Sequence, residues 1–157
     1  KYNNKSIKTF VRSFMHNYQN ILEWIDTPYL AYFSPNDYYG RNYLLDLMLC
    51  TLYTDSDFIG KGSYFKVDDS NRLQVNNKQS EYEFVSSLHS SKSIAKTEVF
   101  GKQSLLEFFD DMEHGTDYGQ YYKFGKKLYS SDRYNYIENE NNQGNTLNKE
   151  MINQIEI

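Results

Sequence analysis

The stretch YLAYFSPNDYYGRNYLLDLML, residues 29–49, decides how the chain is read. Tyr29 to Phe33 is short, apolar and aromatic, which predicts a buried strand rather than a helix. Residues 41–53 follow helical periodicity. Leu44, Leu45, Leu47, Met48, Leu49 and Leu52 cover nearly the whole circumference, so burial on most sides is expected. Between them, Ser34 to Gly40 forms a turn with one acid, Asp37, beside Asn36 and Tyr38. Strand–turn–helix is where α/β sheets place ligands, at the C-terminal end of a strand. An Asp carboxylate and the Asn36 carbonyl are hard oxygen ligands of the kind Mg2+ and Mn2+ prefer. The same two residues also serve to shape a turn and cap the next helix.

Outward from this stretch the pattern stays mixed. Residues 5–25 carry Ile7, Val11, Phe14, Tyr18, Leu22 and Ile25 at helical spacing, and Asp26-Thr27-Pro28 stops the run. Residues 57–67 read as a strand interrupted at Gly60-Lys61-Gly62, joined through Asp68-Asp69-Ser70-Asn71 to Arg72–Val75 as a hairpin. Residues 81–86 and 93–100 are weaker strand patterns, and the second equally suits the start of a helix. Ser104 with Glu107 three residues later is a capping box opening a helix over 104–112. A second short helix runs from about Asp117 to Phe124 and ends at Gly125, and Lys127–Ser130 is a strand. The expected class is α/β, mixed α+β in isolation: a small mixed sheet flanked by helices, with a hairpin insertion. Residues 1–137 form the domain. Residues 138–157 are expected to be a polar tail, with Met151–Ile155 able to dock on a neighbouring molecule as a short helix.

Composition narrows the function. At 157 residues the chain suits one domain. The net charge of −4 and the lack of a basic block argue against nucleic-acid binding. The single Cys50 rules out a disulfide framework, and His16, His89 and His114 lack zinc-site spacing. No apolar run reaches the roughly 20 residues that cross a bilayer. Tyrosine is in excess, at 16 residues, which suits stacking on sugars or bases but also follows from a codon bias.

Two further features carry chemistry. Asp117 follows Gly115-Thr116 at a helix start, where the positive end of the helix dipole favours a carboxylate able to accept a proton. Gly60-Lys61-Gly62 brings an ammonium and bare backbone together, as a phosphate contact needs, although a strand bend uses the same residues.

Three blocks in order resemble the second half of family 2 glycosyltransferases of the GT-A fold, similar to bacterial enzymes acting on capsule or teichoic-type cell-wall polymers. They are residues 29–49 above, YTDSDFIGKGSYF at 53–65, and HGTDYGQYYKFGKKLYSSDRYNYI at 114–137. The resemblance implies an inverting transfer from a nucleotide-sugar donor to a glycan or polymer acceptor, assisted by Mg2+ or Mn2+. By position it puts Asp37 on the last acid of the metal motif and Asp117 on the catalytic base. Asn36, Tyr38, Lys61, Gly62 and Arg133 become substrate contacts. The chain departs from the family at Ser34-Pro35-Asn36, where acids usually stand, and at Thr116, where Glu is usual. The family's N-terminal nucleotide-binding half has no counterpart here. The implied arrangement is therefore a partial fold, inactive alone, that associates with itself or a missing half. It would be cytoplasmic, with possible peripheral contact at the inner membrane face. The alternative is a degenerate transferase-like domain that binds a glycan or a protein.

Overall fold

A computed structural model describes residues 12–68, 70, 72–139 and 147–156. The first strand, β1 (Tyr29–Ala31), leads through the turn to a two-residue strand, β2 (Tyr38–Tyr39), and then to helix α1 (Tyr43–Cys50). Strands β3 (Phe58–Gly60), β4 (Tyr64–Val67), β5 (Leu73–Asn76), β6 (Glu83–Val85) and β7 (Ser93–Lys96) follow. Helices α2 (Leu105–His114) and α3 (Gly119–Lys123), strands β8 (Leu128–Ser130) and β9 (Tyr136–Glu138), and helix α4 (Lys149–Ile155) complete the chain.

The class is mixed α+β, and the strands form two sheets. The larger has the order β1-β7-β3-β8-β6, and the smaller β2-β9-β4-β5. The hairpin expected at 57–67 and 72–75 is β4–β5, with Phe65 opposite Val75, and it belongs to the smaller sheet. Strand β9 lies parallel to β4 and antiparallel to β2, closing that sheet.

The larger sheet separates two cores because adjacent strand residues point to opposite faces. Phe58, Ala95 and Leu128 face a core with Ile21, Phe100, Leu105, Phe108, Met112 and Tyr118. Their neighbours Ile59, Ile94 and Tyr129 face a second core with Tyr43, Leu47, Tyr64 and Tyr136. Much of the tyrosine excess is structural. The rings of Tyr39, Tyr43 and Tyr136 lie within 6 Å of one another, edge-on or tilted.

Four sequence expectations are corrected. The helix over 5–25 is replaced, in its described part, by two short 3-10 turns, Arg12–Asn17 and Ile21–Glu23; residues 5–11 lie outside the described residues. The break has a local cause: the Asn20 side chain caps the second turn at Leu22 N and also donates to Gly101 O. Helix α1 is not buried on most sides. Its buried residues are Tyr43, Leu47 and Cys50, while Leu44, Leu45, Met48 and Leu49 are exposed. The strand pattern at 93–100 stops at Lys96 and continues as a 3-10 turn. Residues 138–157 are not wholly a tail. Glu138 ends β9, and α4 packs Met151 and Ile155 into the fold, with Asn135 N donating to Ile155 O at 3.0 Å. Residues 140–146 and 157 lie outside the described residues.

Among the described residues, no helix is long and apolar enough to cross a membrane.

Candidate functional site

The turn after β1 and the end of α2, separated by about eighty positions, border one cleft of about 430 Å3. Tyr32, Ser34, Asn36 and Asp37 come from the turn. His89, Ser91 and Lys92 come from the segment entering β7, and Tyr64 from β4. Glu113, His114 and Gly115 close one side, with Glu138 and Asn139 at the end of β9. A larger hollow of about 560 Å3, beside Pro28 and Thr97, brings together fewer chemistry-bearing groups: Asp26, Lys96 and Glu98.

His89 organises this cleft. Its Nδ1 lies 2.9 Å from Ser91 Oγ and accepts from Ser91 N at 3.3 Å. Gly115 fits against the other side of the ring. Its φ of +75° and the 2.9 Å gap from an ideal Cβ to His89 Nε2 make any side chain there strained and pressed against the ring. Burial, reinforced by the Lys92 ammonium, pushes His89 below its usual value, against the opposing pull of Glu138, Asp117 and Asp37.

The sign of the pH effect follows. The unfolded chain takes up the His89 proton near pH 6.5 and the folded chain only at lower pH, so folding loses stability as pH falls through that window. Urea unfolding at pH 7.5 and 5.5 checks this: wild type should lose more stability on acidification than His89→Gln.

Asp117 sits directly opposite His89 in an antiparallel bridge. Ser90 N donates to Thr116 O at 2.9 Å, and Tyr118 N to Leu88 O at 2.8 Å, so the pair is the closely spaced type that brings facing side chains together. The Asp117 carboxylate is exposed. It accepts from Ser87 Oγ, 2.9 Å from each oxygen, and from Gly119 N at 2.7 Å. It lies outside the cleft lining, and its partner Ser87 borders a different hollow, with Gly62 and Phe84.

Asp37 is held more firmly. Oδ2 accepts from Tyr136 OH at 2.8 Å and Oδ1 from Asn139 N at 3.1 Å. Asn36 is exposed at the cleft rim, its N–H directed to Ser34 Oγ at 3.3 Å. The next strong charges are Glu138 and Lys92, which form an ion pair while the Lys92 ammonium lies 3.6 Å over the Tyr64 ring.

This donor set does not make a cage for Mg2+ or Mn2+. Asp37 supplies one carboxylate with both oxygens engaged, and Glu138 is neutralised by Lys92. Among the described residues, no three His, Cys, Asp or Glu side chains converge on a common point.

The other residues singled out in the sequence lie apart from the cleft lining. Lys61 is fully buried, and its ammonium reaches Asp132 at 3.0 Å and Asp46 at 3.5 Å. It is an internal ion-pair residue, not an ammonium presented to a phosphate. Gly62 donates its N–H to Ser130 Oγ at 2.9 Å and borders a different hollow, with Ser80 and Phe84. Arg133 holds Glu81 through Nε at 2.8 Å and through a second guanidinium nitrogen, so its fork is already engaged. Tyr38 donates to Glu156 at 2.7 Å, and burial with that acid raises its hydroxyl to about 12.

Sequence reasoning missed His89, Lys92, Tyr64 and Glu138. No local signature marks LHSSKSI as a site; His89 becomes meaningful only when residues 115–117 pack against it.

Comparison of the chain with protein-family models, with curated proteins and with solved structures returns no match.

Proposed function

We propose that this chain is the acceptor-binding part of an inverting glycosyltransferase that modifies a cell-surface glycan or polymer. One observation carries the reading: Asp37 lines the cleft beside His89, and Asp117 pairs with His89 in an antiparallel bridge next to it. Tyr32 offers aromatic surface for a sugar ring, and Ser34, Asn36 and Asp37 offer polar groups for its hydroxyls. In the reaction, the acceptor oxygen attacks the anomeric carbon of a nucleotide-sugar. The bond from that carbon to the diphosphate oxygen breaks, and the diphosphate leaves with the electron pair. The acceptor proton passes to a carboxylate, the role read for Asp117. On this reading the chain works in the cytoplasm, where nucleotide-sugars are at hand, and the donor is held mainly by residues outside the described cleft.

A second reading, a degenerate domain that binds a glycan without transferring sugar, is favoured by Ser34-Pro35-Asn36 and by the engagement of both Asp37 oxygens.

Calorimetric titration with N-acetylglucosamine oligomers and a neutral glucan oligomer tests both. Binding of one of these, weakened about tenfold or more by Asp117→Asn, fits the first reading; a tenfold change is about 1.4 kcal/mol, the scale of one lost hydrogen bond to a charged group. Binding indifferent to Asp117→Asn fits the second. No binding of any saccharide by a folded chain contradicts both. The chain alone should give no turnover with UDP-sugars and Mn2+.

A further inference from the structure

We propose that the hollow between β6 and α3 is a second saccharide subsite, which holds the continuation of a neutral glycan chain whose end lies in the cleft; this rests on the acceptor reading above. The hollow has a volume of about 550 Å3. Glu83 and Phe84 of β6, Ser86 and Ser87 just after it, Tyr122 of α3 and Asn77 line it.

Three segments lead from this hollow to the cleft. Gly62 borders the hollow and Tyr64 the cleft, and Ser87 borders the hollow and His89 the cleft. Two residues of extended chain span roughly 7 Å, a step on the scale of one sugar residue. The third segment runs from Gly115, in the cleft lining, to Asp117. Asp117 is bridged to His89 through the backbone, and its exposed carboxylate accepts from Ser87 Oγ at 2.9 Å. A saccharide hydroxyl that meets this carboxylate therefore has the hollow directly beyond it.

The lining has the chemistry of a sugar site. Phe84 and Tyr122 are 62% and 51% exposed, so both rings offer open aromatic surface. The Phe84 ring is set edge-on against Tyr129 at 5.4 Å, which fixes its orientation before a ligand arrives. Around the two rings, Ser86, Ser87 and Asn77 bring hydroxyl and amide groups suited to sugar hydroxyls. An apolar peptide would leave these polar groups without partners.

Charge selects among glycans. Glu83 is the only charged residue of the lining, and Asp117 adds a second carboxylate at its border. Lys126 and Lys127 border the neighbouring hollow, and their ammoniums pair with Asp57 at 3.4 Å and Asp55 at 3.6 Å. A hollow that presents only negative charge repels a phosphate-bearing polymer and accepts a neutral chain.

Calorimetric titration of the full chain with N-acetylglucosamine and glucan oligomers of two and six units tests this, with Phe84→Ala and Tyr122→Ala as separate variants. Both rings are at least half exposed, so circular dichroism should be unchanged. The six-unit form of the better ligand is expected to bind at least about tenfold more tightly than the two-unit form, because the second subsite is engaged by a tethered chain. Each Ala variant should remove most of that gain and change the two-unit affinity by less than about twofold. Tyr122→Phe, which keeps the ring, should keep the gain. Equal affinity for the two lengths, or a gain that survives both Ala variants, would overturn the proposal and leave the cleft reading standing. So would a glycerol phosphate oligomer that binds through the same two rings as tightly as the neutral chain. No binding at any length would contradict the acceptor reading itself, and this proposal with it.

Discussion

Lys61→Met is expected to destabilise the fold by about 3–5 kcal/mol at pH 7, the usual result of removing one partner from a buried ion pair. The ammonium is fully buried between Asp46 and Asp132, which are themselves mostly shielded from water. Methionine fills the volume but leaves two carboxylates facing each other without their cation. Asn135 Nδ2 still donates to Asp46 and Tyr134 N to Asp132 at 2.7 Å, but neither brings a positive charge. Adding Asp132→Asn should recover part of the loss by removing one of the stranded charges. Denaturant unfolding measures both. A loss below about 1 kcal/mol, the range of exposed ion pairs, would mean that the pair is solvated and Lys61 is available at the surface.

Gly60→Ala is the second large effect, about 2–3 kcal/mol, typical of overpacking a close contact. A Cβ at Gly60 would meet Ser93 Cβ at 2.6 Å and Lys92 O at 2.7 Å. Strand β3 is the centre of its sheet, between β7 and β8, so neither neighbour moves without disturbing a ladder. The clash bears on the cleft as well as the core, because Lys92 lies between this contact and the Glu138 pair. Thermal unfolding should show a midpoint lower by about 5–10 °C, at 2–4 °C per kcal/mol for a chain of this length.

Together these variants explain why Gly60-Lys61-Gly62 is ambiguous in the sequence. Two glycines around a lysine suit a phosphate contact and also suit a strand that crosses closely over its neighbours. Only the position of Asp46 and Asp132, 15 and 71 residues away, separates the two uses.

Elements dictated by nearby residues are legible in the same way. The capping box at Ser104 and Glu107 starts α2 as expected, and Asp68 closes the β4–β5 hairpin through Ser70 N and Arg72 N. The β1 strand, the α1 helix and the β8 strand each lie within their expected ranges. Strands β2 and β9 are too short for a periodic signal, and they exist because Tyr39 pairs with Tyr136 nearly a hundred residues away. The outward face of α1 was misread because leucines spread around a helix do not say how many sides the fold covers. The site shows the same division. Asp37 and Asp117 stand out in the sequence because each follows a turn signal. His89, which connects them, has no such signal, because its partner Gly115 is supplied by another element.

The most direct test of the central claim is a side-chain and backbone NMR titration of the chain with the saccharide that binds best in calorimetry. The account predicts chemical-shift changes concentrated at Tyr32, Asp37, His89 and Gly115, with the His89 imidazole among the largest. Saturable binding that leaves these four residues unperturbed and shifts a separate surface would contradict it.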